Sequence, residues 1–192
     1  MKEKREYVMR ARADAVEETR RRMLAAAQEV GRETMSLDIA LRDVAERAEV
    51  SVQTVLRHFG SREGLLSATL EFVQADLLRK RGRLEPTDPA AGIAALVDEY
   101  EDSGDWVITM LGQESAHPQV RRMTETGRAM HRRWVRTVLH PEPRDPERAE
   151  EIVDLLVVAT DVYTWKLLRR DRGLTRADTV NRIRALVAAV LA

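Results

Sequence analysis

Cysteine is absent from the 192 residues of this chain. That excludes a disulfide framework, a thiolate nucleophile and a cysteine-ligated zinc finger, and it is compatible with a reducing compartment. Long apolar runs are missing too, none approaching the ~20 residues of a membrane-spanning helix. The opening Met1-Lys2-Glu3-Lys4-Arg5-Glu6 lacks the apolar centre of a secretory signal. The expectation is a soluble, cytoplasmic chain with no membrane partner. Net charge is also lacking, with 32 Lys+Arg against 32 Asp+Glu, and the sum taken alone argues against nucleic acid. Its distribution says more: residues 1–83 hold 17 basic and 14 acidic residues, a net of +3, and residues 84–192 hold 15 and 18, a net of −3. Such an asymmetry is modest and suits weak non-specific binding of DNA by the first part. Glycine and proline are few and sit mostly at boundaries, and no alternating run has strand length. Ala, Leu, Arg and Glu dominate, so the chain is read as all-α, with about nine helices.

The stretch from Arg42 to Phe59 organises the rest. Arg42-Asp43-Val44-Ala45-Glu46-Arg47-Ala48 has helical composition, Glu49-Val50-Ser51 follows, and Val52 to Phe59 makes a second short helix. Val44, Ala45 and Ala48 pack on the first, and Val50, Val55 and Phe59 on the second. Ser51 is a good N-cap, because its hydroxyl accepts from an orphan N–H of the first turn. Val52, Gln53, Thr54, Leu56, Arg57 and His58 are left outward. Amides, hydroxyls and Arg on such a face suit the major groove, and the pair reads as a helix-turn-helix. A generic helical hairpin is the plain alternative.

In chain order, a first helix is expected from near Ala13 to Val30, with Val16, Met23, Ala27 and Val30 buried and Gly31 ending it. The segment before it reads as a charged, solvated arm. After the helix-turn-helix, Ser61 caps a long helix carrying Leu65, Leu66, Thr69, Leu70, Val73 and Leu77 and fading at Arg79-Lys80-Arg81-Gly82-Arg83. Glu85-Pro86-Thr87-Asp88-Pro89 is the clearest break, with Asp88 as cap and Pro89 as first helical residue. Helices are then expected over 89–101, 104–115 and from Pro118 to about His140, the last with Val120, Met123, Gly127, Met130, Trp134 and Val138 as its stripe. Pro141 to Pro146 is a second break. A nearly all-apolar helix over 147–172 follows, stopped by Gly173, and a last helix is capped by the Thr175/Asp178 box. The domains are placed at 1–60, the helix-turn-helix part, and 61–192, with a bridging helix from about 61.

The run Asp43-Val44-Ala45, Ala48, Val50-Ser51, Thr54, Arg57-His58-Phe59, Ser61-Arg62-Glu63 and Leu65-Leu66 resembles the N-terminal signature of the tetracycline-repressor (TetR) family. The specific part covers roughly residues 20–70, and beyond it only length and helix pattern are similar. Three positions depart from the pattern. Glu49 stands in place of the turn glycine, Leu56 in place of a phosphate-touching tyrosine, and Ala40 in place of a hydroxyl N-cap. The resemblance implies a homodimeric transcriptional regulator, usually a repressor, released from a double-stranded DNA operator when a small molecule enters its second domain. Carried over by position, Arg42, Val52, Gln53 and Arg57 would face bases, while Thr54, His58 and Arg62 would hold phosphate. Ser51 and Leu56 complete the candidate DNA-binding set. Gln suits adenine, Arg suits guanine, and Val52 suits a thymine methyl.

For the effector, Trp106, Met110, Met123, Met130, Trp134 and Tyr163 are expected on faces that converge inside the second domain. An ordinary packed core explains each of them singly. As a group they suit an apolar or aromatic molecule, since the chain has only eight aromatic rings and half of them lie in or beside this set. An enzyme is the reading from another class. Glu114 and His117 have Glu-x-x-His spacing, but a carboxylate-bridged di-metal bundle needs two such pairs and no second pair exists. Phosphate-cradling glycine loops, a His-Glu-x-x-His helix and a nucleophile elbow are absent. No catalytic residue, metal or cofactor is expected. A dimeric small-molecule-binding or scaffold protein with impaired DNA binding is the alternative, motivated by Leu56 and Glu49.

Overall fold

The computed structural model describes residues 2–81, 88–139 and 148–192, with side chains over 14–76, 88–139 and 148–192. The break expected at 141–146, His140, Gly82, Arg83, residues 85–87 of the other break, and the side chains of Leu77 and of the N-terminal arm lie outside what is described. Among the described residues there is no strand. The chain divides into two compact units, Met1–Asp76 and Leu77–Ala192, and the division falls within one helix.

The first unit holds α1 (Lys2–Thr34), α2 (Leu41–Arg47), α3 (Val52–Phe59) and the opening turns of α4 (Arg62–Arg81). Contrary to expectation, α1 starts well before Ala13 and passes through Gly31. The left-handed residue that ends it is Met35, at φ 48°. Ser36 N–H reaches back to the Gly31 carbonyl at 3.1 Å and Met35 N–H to that of Arg32 at 3.4 Å. These two bonds satisfy the orphan carbonyls of the last turn in a Schellman closure. Glycine was the sequence signal for a stop, but here a non-glycine residue takes the left-handed turn. The buried stripe begins only at Met23 and runs through Leu24, Ala26, Ala27 and Val30. Val16 is 55% exposed, a correction to its expected burial, because the core it would join begins seven residues later. Ile39, Val44, Ala45, Ala48, Val55 and Leu65 complete that core.

The second unit is built from α5 (Pro89–Gln113), α6 (Pro118–Trp134), α7 (Ala149–Thr160), α8 (Val162–Lys166) and α9 (Arg176–Leu191). Asp88 caps α5 by accepting from the N–H groups of Ala90 and Ala91 at 3.1 Å each, with Pro89 at the first position. The two helices expected over 89–101 and 104–115 are one. Gly104 does not interrupt it but makes room: a Cβ there would lie 2.5 Å from Trp165. α6 runs on into a π-helical turn, Val135–Leu139, which buries Val135, Val138 and Leu139. The single helix expected over 147–172 is broken at Asp161. Its backbone is extended, with ψ 153°, and its carboxylate caps α8 by accepting from Tyr163 N–H at 2.8 Å. The preceding Thr160 also donates back to the Leu156 carbonyl at 2.7 Å, a bond that competes with regular helix. A further π turn, Leu167–Asp171, leads to Gly173 at φ 66°. Thr175 then caps α9, accepting from Asp178 N–H at 3.1 Å.

Trp165, fully buried, is the centre of this core. Its ring lies 5.9 Å from that of Tyr100 and under the Arg170 guanidinium at 4.5 Å. Its indole N–H donates to Glu101 at 3.0 Å, a carboxylate that also accepts from Arg169 at 2.9 Å. Tyr100 donates to the Thr160 carbonyl at 3.1 Å, which ties α5 to the α7–α8 break.

Candidate nucleic-acid interface

α2 starts without a side-chain cap. Ala40 offers only its carbonyl, which receives Asp43 and Val44 N–H at 3.1 and 3.3 Å, and the Asp43 carboxylate in the first turn complements the helix dipole. Arg47 near its end grips Glu33 of α1 through bonds of 2.7 and 2.6 Å, and this holds the Glu33 carboxyl below its ordinary range. The turn between α2 and α3 repeats the closure seen after α1. Glu49 adopts φ 54°, Val50 N–H meets the Ala45 carbonyl at 2.9 Å, and Glu49 N–H meets that of Glu46 at 3.1 Å. The fold therefore places a glutamate where glycine would be unstrained.

α3 is capped as expected. Ser51 Oγ accepts from Thr54 N–H at 3.1 Å, and the two hydroxyls are 2.9 Å apart. This leaves Thr54 half-buried with its hydroxyl engaged at the cap, so it is less open to a phosphate than the sequence implied. Val55 is fully buried and anchors the helix inward. On the opposite side Val52 and Leu56, one turn apart, are each 38% exposed, and Ser51, Gln53 and Arg57 are exposed beside them. His58 is half-buried, its ring 6.2 Å from that of Phe59. Arg42 is exposed on the first turn of α2. Arg62 is exposed on the first turn of α4, where it is ion-paired with Asp38.

Gly60, at φ 76°, ends α3, and Ser61 Oγ accepts from Gly64 N–H at 3.0 Å to start α4. Gly64 was not foreseen. A Cβ at that position would lie 2.1 Å from the Phe59 carbonyl oxygen, so only glycine lets α4 approach the end of α3 so closely. No periodicity announces such a contact, because it depends on tertiary approach.

In the second unit, Trp106, Met110 and Met123 are buried, but outside the cluster around Trp165. Met130 and Trp134 are half-buried, Trp134 stacked on His131 with centroids 5.7 Å apart. Tyr163 departs from the expected convergence at 51% exposed, since the chain restarts its helix just after the Asp161 break. The Trp106 indole N–H is buried without an acceptor among the described residues. Glu114 is engaged: its carboxylate accepts from Arg128 at 2.8 and 2.9 Å and from Thr124 at 2.6 Å, which hold it below the usual carboxylate range. It clasps α5 to α6. Leu155, Val158, Leu167 and Leu186 are large apolar side chains open to solvent on α7, the second π turn and α9. No helix of the described residues is long and apolar enough to cross a membrane.

Comparison with known proteins places a family match within the first unit. Residues 38–69 match the model of the bacterial regulatory proteins of the tetR family. The HTH-type transcriptional regulator BetI of Paraburkholderia xenovorans (strain LB400) is 38% identical over 93 residues, which cover 43% of this chain and 48% of that protein. The HTH-type transcriptional regulatory protein RaaS of Mycobacterium tuberculosis (strain ATCC 25618 / H37Rv) is 36% identical over 75 residues, 38% of this chain and 34% of the relative. The chain thus matches about half or less of the length of these relatives. Among solved structures, a transcriptional regulator from Rhodococcus sp. Rha1 superposes with a TM-score of 0.71 at 20% identity, covering 89% of this chain and 95% of the other. A TetR transcription regulator from Haloarcula marismortui ATCC 43049 gives 0.65 at 16%, covering 91% and 95%. At these identities the two structures speak to the fold, over nearly the full length.

Proposed function

We propose that the chain, whose residues 38–69 match the model of the bacterial regulatory proteins of the tetR family, is a sequence-specific transcriptional regulator of that family. In this reading it binds a pseudo-palindromic operator as a homodimer and is released by a small effector. The observation that carries the proposal is the outer face of α3. Val52, Gln53, Leu56 and Arg57 stand open to solvent on a helix whose backbone is held by the Ser51 cap and anchored by Val55. Amide, guanidinium and small apolar groups on one short helix are what base edges and thymine methyls recognise. Arg42, His58 and Arg62 flank that face as candidate phosphate or edge contacts. The exposed leucines and valine of α7 and α9 support a dimer, since a monomer gains nothing by leaving them in water. The indole N–H of Trp106, buried with no acceptor among the described residues on the α5 face that also carries Met110, supports an effector site, because buried donors almost always find a partner.

A gel-shift titration of the chain's own upstream DNA against a random duplex tests the proposal. The regulator reading expects retardation of the upstream fragment at concentrations at least ~1,000-fold below those needed for random DNA. Equal affinity for the two would overturn it. A second reading has two observations in its favour: Arg62 is tied to Asp38, and Leu56 offers no phosphate donor. Both suit a dimeric small-molecule-binding or scaffold protein with impaired DNA binding, and that same titration separates the two.

A further inference from the structure

Arg20 has no part in the account so far. It is half-buried on α1, one turn ahead of Met23 of the first core. Its guanidinium carbon lies 4.8 Å from the centroid of Phe59, the last residue of α3. Three other arginines of this unit are matched to acids, Arg21 to Glu18 at 2.9 Å, Arg47 to Glu33 at 2.6 Å and Arg62 to Asp38, whereas Arg22, Arg42 and Arg57, like Arg20, have no ion pair among the described residues. Arg20 has no carboxylate within ion-pairing distance among the described residues. A guanidinium stacked on a ring spends its flat face there and keeps its N–H edge for an oxyanion in its plane. Stacking also fixes the side chain before any ligand arrives, which lowers the ordering cost of a contact. An Arg that is positioned, half-desolvated and without a counter-charge, at the end of the helix that reads DNA, is matched by the chemistry of a backbone phosphate.

We propose that Arg20 is a DNA-contacting residue, bracing the last turn of α3 through Phe59 and donating its N–H edge to a phosphate of the bound duplex. This rests on the DNA-binding reading above. Phosphate contacts set register and carry salt dependence, while base contacts carry sequence, so the assignment has its own signature. The test uses the full chain, Arg20→Met, which keeps an apolar stem for Phe59, and Arg20→Lys, which keeps the charge. Each is titrated on the upstream duplex and on a random duplex across a salt series, with thermal midpoints recorded alongside. Arg20→Met is expected to weaken both duplexes by the same factor and to lower the slope of log affinity against log salt by ~0.9. Arg20→Lys is expected to restore that slope. An unchanged slope in Arg20→Met, whatever its thermal midpoint, would leave Arg20 a packing residue and overturn the proposal. The two readings fail separately: no preference for the upstream duplex defeats the regulator, while the slope on random DNA still reads Arg20. Absence of binding to either duplex contradicts both.

Discussion

Glu49 decides the turn at the heart of the helix-turn-helix. It sits at φ 54° with its side chain exposed, and a left-handed conformation costs a non-glycine residue roughly 1–2 kcal/mol. Glu49→Gly removes that cost but returns backbone freedom to the unfolded chain. The net expectation is a gain of about 0.5–1 kcal/mol in the first unit, read as a rise in its urea midpoint, with the α3 face unaltered. A loss of stability would mean that the carboxylate has a structural task. The departure from glycine was legible from the sequence, because the residue could be compared with a pattern. Met35 was not: nothing in its type marks a left-handed residue, and the glycine four positions earlier drew the helix end to the wrong place. The outward face of α3 was readable because Ser51, Val55 and Phe59 fix which side of the helix turns inward. The engagement of Thr54 by its own cap was not, since two hydroxyls three residues apart compete for the same position.

Elements were readable where caps and periodicity agree, as at Asp88-Pro89 and Thr175-Asp178, and misread where a tertiary contact overrides them. The helices expected over 89–101 and 104–115 are one, and Gly104 within it is the seat of Trp165. Gly104→Ala would press a methyl against a fully buried indole that is itself held by Tyr100, Glu101 and Arg170. Over-packing of this kind costs roughly 1–3 kcal/mol, so the urea midpoint of the second unit is expected to fall, with altered Trp fluorescence. An unchanged midpoint would mean that Trp165 moves freely. The α5–α6 clasp has a pH signature. The Arg128 and Thr124 bonds to Glu114 favour its ionised form, so its folded value lies below the ordinary 4.5. A depressed carboxylate contributes stability that is present above its unfolded value and is lost as pH falls through the folded one. Glu114→Gln is therefore expected to narrow the difference in thermal midpoint between about pH 6 and pH 3. An equal difference in wild type and variant would remove Glu114 from the acid response.

In the proposed regulator the first unit carries the DNA-reading helix, and α7 and α9 of the second unit expose large apolar side chains. Which face of α7 carries Val158 was not decidable from a helix apolar nearly all round; the structure leaves that side chain 65% exposed. Val158→Arg is expected to shift the protein from dimer to monomer in sedimentation at micromolar concentration without loss of helicity, and to weaken operator binding in parallel. A monomeric wild type would contradict the architecture. If an effector releases the protein from DNA, linkage requires DNA to weaken effector binding by the same factor, and α4, whose residues belong to both units, is the covalent route. In the proposed regulator α3 reads operator DNA as one of a symmetric pair, which footprinting on the chain's own upstream region can decide. The expected result is two protected half-sites of inverted sequence, centred about 34 Å apart or a multiple of that along the duplex. Arg57→Ala should relax one base position in each, by ~1–3 kcal/mol. Uniform protection without symmetric half-sites, or a footprint unaltered by Arg57→Ala and Gln53→Ala together, would contradict it.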